Sequence, residues 1–106
     1  MKMLWILCNE SIGEDVSELL DSAGARSYTV WTDVLGKDNE GDKTHWGTSV
    51  FPGKNWAFMI CDDCGCVDKI IEKLREMKQK EYVRQAGLKV FIQKAEEAFA
   101  EGEKDG

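Results

Sequence analysis

Histidine and proline are almost absent: one of each stands among 106 residues. A single histidine, His45, leaves little for general acid–base catalysis. The many carboxylates form no recognisable acid–base pair, and the spacing suggests neither a nucleophile elbow nor a Ser-His-Asp set. An enzyme is therefore not expected. Positive charge is also short, with 14 Lys and Arg against 20 Asp and Glu and a formal net charge of −6. That balance excludes general nucleic-acid binding, which needs a basic face, and disfavours anionic membrane surfaces. Apolar runs are short too. Met3–Cys8 is far below transmembrane length and below a signal-peptide core, so direct membrane insertion is not expected and a cytoplasmic location is.

What is present fits one soluble domain spanning 1–106. Hydrophobic residues make up 42% and charged residues 32%, which is ordinary for a globular chain long enough to bury a core without disulfides. Met3–Cys8 reads as a strand. Ser11 and Glu14 match a capping box, and Val16, Leu19, Leu20 and Ala23 come next at helical spacing, with Gly24 as the C-terminal stop. Tyr28–Leu35 is β-branched and aromatic and reads as a second strand; Asn55–Cys61 reads as a third. Asp62 or Asp63 is the expected cap of a second helix, whose apolar stripe is Val67, Ile70, Ile71, Leu74 and Met77, fading near Lys80. Leu88–Gln93 reads as the last strand, with an acidic tail over 94–106 that is either a short helix or frayed.

The order β-α-β-loop-β-α-β predicts an α+β, ferredoxin-like βαβ-βαβ sandwich. It has a four-stranded antiparallel sheet and both helices on one face. Trp5, Trp31, Trp56 and Phe58 lie on strands, more apolar surface than one helical layer covers. An apolar sheet face left bare implies a partner, and self-association with closed symmetry is the simplest one.

Between strands 2 and 3 runs GKDNEGDKTHWGTSVFPG, residues 36–53. It has neither a helical nor a strand period, ends in the turn signal Phe51-Pro52-Gly53, and is long for a compact domain; such loops are usually functional or disordered. Trp46, an aromatic residue in a polar loop, points to contact with a protein partner or with a neighbouring subunit. His45 is either a ligand, a pH-sensitive contact or simply solvated.

Cysteines cluster at the third strand's end, in Cys61-Asp62-Asp63-Cys64-Gly65-Cys66. Thiols near a helix N-terminus suit metal binding or oxidation. Cys61, Cys64 and Cys66, with His45 or a carboxylate, are candidate ligands for zinc or copper. The alternatives are a Cys61–Cys64 or Cys64–Cys66 disulfide acting as a thiol redox switch, or plain packing, with Cys61 ending a buried strand and Cys66 facing the core. Cys8, inside the first strand, reads as core.

Over nearly its whole length the chain resembles the nitrogen regulatory P-II proteins and their divergent relatives, the P-II/CutA-like superfamily. Val34-Leu35-Gly36 stands as at the base of the family's T-loop, which makes 36–53 T-loop-like. Val67-Asp68-Lys69-Ile70-Ile71-Glu72 resembles its second helix. Lys89-Val90-Phe91-Ile92, with Ala95-Glu96-Glu97-Ala98, resembles its last strand and the segment after that strand. The resemblance implies a homotrimeric signalling protein with ligand sites, often for adenine nucleotides, in clefts between subunits. It also implies signalling to a protein partner by rearrangement of the loop, without catalysis. Gly36, Lys37 and Lys89 are the ligand-binding residues it implies. The related CutA proteins link the fold to metal tolerance. Three features depart from the pattern. The glycine-rich segment before the last strand is replaced by Gln79–Gly87 with one glycine. The basic residues after it are replaced by Ala100-Glu101-Gly102-Glu103, which disfavours a triphosphate. The loop has no tyrosine, so uridylylation is unavailable.

Overall fold

The structure, a computed structural model, describes residues 1–36, 54–62 and 65–99. Lys37, His45, Trp46, Asp63 and Cys64, the body of the 36–53 loop and residues 100–106 lie outside the described residues.

The elements in chain order are β1 (Lys2–Asn9), a 3₁₀ turn (Glu10–Ile12), α1 (Gly13–Ser22), β2 (Thr29–Val34), β3 (Asn55–Asp62), α2 (Cys66–Met77), α3 (Glu81–Ala86) and β4 (Leu88–Lys94). The strands form one sheet in the order β2-β3-β1-β4. All three pairings are antiparallel. Each βαβ unit therefore skips one strand, which is the ferredoxin-like arrangement the sequence predicts.

Alternation along the strands decides which side is core. Leu4, Ile6 and Cys8 of β1, Phe58 and Ile60 of β3 and Leu88 of β4 are buried together with Val16 and Leu20 of α1, Val67, Ile70, Leu74 and Met77 of α2, and Val83 of α3. The stripe read from the sequence for α2 is the one buried, with Ile71 partly covered at its margin. Phe58 is fully buried and Trp56 packs beside it, ring centroids 6.1 Å apart. Both belong to the helical face, so only Trp5 and Trp31 of the four strand aromatics lie on the other one. Gly13 opens α1 directly beneath the Trp56 ring, where a Cβ would collide with the indole.

Three local expectations are corrected. Ser11 does not cap α1. The chain first makes the 3₁₀ turn, capped by Asn9, whose side chain accepts from the Ser11 N–H at 2.9 Å, and α1 starts at Gly13 with no side-chain cap. Neither Asp62 nor Asp63 is the N-cap of α2. That residue is Gly65, at φ 90°, a left-handed conformation that glycine adopts without a Cβ penalty. The helical run near Lys80 does not simply fade, because α3 begins after three residues. The C-terminal stop of α1 is as read. Gly24, at φ 91°, donates to Asp21 O, and Ala25 donates to Leu20 O, the two bonds of a Schellman motif.

Burial pushes the Cys8 thiol up to about 11 from 9.0. A raised thiol favours the protonated folded form. Its contribution is complete below the unfolded value of 9.0 and is lost as pH rises through about 11. At neutral pH we expect iodoacetamide to reach buried Cys8 only on unfolding. Alkylation of Cys8 in the folded protein as fast as in the unfolded one, monitored by peptide mapping, would contradict this packing.

Candidate functional site: the loop base and the open sheet face

Both ends of the long loop are tied to one end of the sheet. On the entry side, β2 loses register between Trp31 and Val34, and Asp33 sits at φ 60°. A non-glycine residue in that left-handed region is uncommon, and aspartate is among the few that tolerate it. Val34 regains pairing with Asn55. Gly36 then passes so close to Asn55 that a Cβ would meet the Asn55 side-chain amide. On the exit side, Lys54 O accepts from the Glu10 N–H at 2.8 Å, and Lys54 Nζ lies 3.5 Å from Asp33 Oδ1. That ion pair is exposed on both sides and contributes little stability; the backbone bond and the Val34–Asn55 pairing fix the base.

Gly87, at φ 91°, lies at the same end of the sheet, its carbonyl accepting from the Asn9 N–H at 3.3 Å. Lys89 comes next on β4, opposite Leu7, and is exposed. Gly36 and Lys89 thus share an end of the sheet but flank opposite edges, β2 and β4. Three strand spacings, about 14 Å, separate those edges, so one chain does not bring the two residues together. Lys37 and Trp46 lie outside the described residues.

The face away from the helices carries Met3, Trp5 and Leu7 of β1, Met59 and Cys61 of β3, Trp31 of β2 and Phe91 of β4. Trp5 and Trp31 stack across β3, ring centroids 6.1 Å apart and planes 21° from parallel. Ala57, paired with Trp31, is the small residue that leaves room between them. Trp5 Nε1 donates to Gln93 Oε1 at 3.1 Å. Phe91, opposite Trp5 in the β1–β4 register, is 53% exposed and Trp31 44%. The rings are held in place within the chain yet remain accessible, as an association surface requires.

The cysteines do not share one environment. Cys61 is exposed, which corrects the packed reading of it. Its strand parity puts it on the open face, whereas Cys66 packs against the core on the helical side. Among the described residues no three His, Cys, Asp or Glu side chains form a metal-holding group; Cys64 and His45 are outside that set. Sequence reasoning missed a contact of Cys61 instead: its thiol donates to Met1 Sδ at 2.9 Å. The signal was available, because Met1 and Met3 share the parity of the open-face residues of β1.

A profile for Nitrogen regulatory protein P-II matches residues 1–100. The chain belongs to the P-II family. Among solved structures it is similar to CPII from Thiomonas intermedia K12 bound to ADP and bicarbonate. The TM-score is 0.65 at 21% identity, covering 87% of this chain and 82% of that one. The apo form of the same protein, a nitrogen regulatory PII-like protein, gives 0.63 at 19% identity, covering 87% and 85%. A putative PII-like signaling protein from Thermus thermophilus gives 0.60 at 15% identity, covering 87% and 83%. At these identities the likeness is one of fold. No curated protein matches the chain in sequence. The family's match takes in the last strand, Leu88–Lys94. No helix among the described residues is long and apolar enough to cross a membrane.

Proposed function

We propose that this P-II family chain is a cytoplasmic regulatory protein that assembles as a homotrimer through its open sheet face. It binds an adenine nucleotide in the clefts between subunits. The observation that carries this reading is the separation of Gly36 from Lys89. Each stands at one edge of the sheet, at the same end, and a rotational assembly sets one subunit's β2 edge against the next one's β4 edge. Gly36 and Lys37 of one subunit then supply close backbone approach and one cation, and Lys89 of its neighbour supplies the second. Two lysines suit a mono- or diphosphate better than a triphosphate, whose charge calls for more cations. CPII complexes with ADP, and with ADP and AMP, support the choice of ligand class.

Ligand in the cleft touches the loop base, so occupancy is transmitted to the 36–53 segment, which presents Trp46 to a protein partner. Ligand-dependent ordering of such a segment is an established switching mode. The protein acts by binding and not by catalysis.

Calorimetric titration with ADP tests the ligand. Lys89→Ala removes a charged hydrogen bond worth about 1.5–3 kcal/mol, so Kd should rise roughly 10- to 150-fold. ADP affinity unchanged by Lys89→Ala would remove that lysine from the site, and no heat with ADP or AMP would remove the nucleotide.

A further inference from the structure

On the side of the sheet away from the open face, α1 and α2 run antiparallel and leave a groove of about 480 Å³ between them. Its α1 wall presents Asp15, Glu18 and Leu19. The facing wall presents Lys73 and Glu76 of α2 and, beyond that helix, Lys80 and Tyr82. Lys73 is half-buried, as a lysine is when its stem lies against apolar surface and its ammonium reaches water. Tyr82 is 50% exposed, and its hydroxyl meets Asp15 Oδ2 at 3.5 Å, linking α3 to the start of α1. Charges of both signs thus face one groove, yet none of the ion pairs among the described residues uses them. In a trimer closed through the open sheet face the helical layer is on the outside, so the groove stays accessible.

We propose that this groove docks an amphipathic helix of a partner protein, basic along the flank that meets α1 and acidic along the flank that meets Lys73 and Lys80. Two antiparallel helices with an apolar line between them, here Leu19 and the edge of Met77, accept a third helix by the packing that joins them to each other. α1 has ten residues and is about 15 Å long, so the docked segment makes about three turns. Tyr82 is the residue type that anchors interfaces, and the charged walls set partner choice and orientation. Charge also decides the occupant. α1 carries Glu14, Asp15, Glu18 and Asp21 and no cation. A second copy laying its α1 in the groove would therefore set acid against acid, and a net charge of −6 per chain adds to that repulsion. On the facing wall Lys73 and Lys80 outnumber Glu76 and leave it net positive. The surface does not depend on nucleotide binding, and its size places it in the transient class of contacts.

The test uses the full chain, labelled with ¹⁵N and titrated with a synthetic amphipathic peptide that has leucines on its seam, lysines along one flank and glutamates along the other. Amide shifts should cluster on Glu18, Leu19, Lys73 and Tyr82, while the Trp5 and Trp31 indole signals stay fixed. Asp15→Lys/Glu18→Lys should weaken binding by more than about tenfold, because like charges set against each other cost beyond that factor. Lys73→Glu/Lys80→Glu should do the same. None of the four side chains is in the core, so circular dichroism should not change. Combining all four substitutions exchanges the signs of the walls. The same peptide then fits in the reverse direction, and affinity should return to near the original value. No binding by the unaltered chain, shifts centred on another face, double variants that bind like it, or a quadruple variant as weak as the doubles would each overturn the proposal. So would concentration-dependent association of trimers, without peptide, that Asp15→Lys/Glu18→Lys abolishes, since the occupant would then be a second copy.

Discussion

Phe91→Glu should leave the chain folded and monomeric. Phe91 lies on an edge strand and is 53% exposed within one subunit. Its replacement costs the isolated fold within about 0.5 kcal/mol, as surface changes do. In the proposed trimer the same position would face a neighbouring sheet. Each of three interfaces would then bury an unpaired carboxylate, a penalty of several kcal/mol per ion. The interface also loses an aromatic anchor beside the Trp5–Trp31 stack, the kind of residue that dominates association energy. Sedimentation velocity should show one small species with an unchanged circular-dichroism spectrum. A Phe91→Glu trimer would show that association uses another surface.

Phe58→Ala should have the largest effect on stability. Phe58 is fully buried at the centre of β3, with Tyr28 at 6.2 Å and Trp56 at 6.1 Å between ring centroids. Deleting a buried phenylalanine side chain costs about 3–5 kcal/mol, transfer and cavity together. Chains of this size have about 5–15 kcal/mol in total, so a substantial share of the margin would go. Tyr28 adds to the effect because its hydroxyl is engaged elsewhere, with Ser17 Oγ and Asp21 Oδ1, both at 2.9 Å. Those bonds restrain the ring from collapsing into the cavity. For a domain of this length each kcal/mol shifts Tm by about 4–8 °C, so thermal unfolding should fall by more than about 12 °C. A fall of a few degrees would mean that the core relaxes around the gap.

The strands and the α2 stripe were legible because alternation and the 3.6-residue period are written into single segments. α3 was not, since six residues are fewer than two turns and show no period. The start of α1 was misread because Asn9 and Ser11 are both good caps, and only the intervening 3₁₀ turn decides between them. The faces of β1 were ambiguous for another reason. Met3, Trp5 and Leu7 are as apolar as Leu4, Ile6 and Cys8, so parity alone does not say which set is core. The candidate ligand residues were nameable from the family resemblance, whereas their placement on opposite edges depends on the strand order β2-β3-β1-β4, a product of pairings far apart in sequence. The same holds for Met1 and Cys61, sixty residues apart and joined only by the β1–β3 register.

The central claim is that the ligand site exists only between subunits. Native mass spectrometry of the full chain with ADP tests it most directly. The expected spectrum shows a trimer carrying up to three ADP molecules, with no ADP on any monomer that coexists with it. A monomer retaining ADP, or a trimer that stays bare under ADP excess, would contradict the claim.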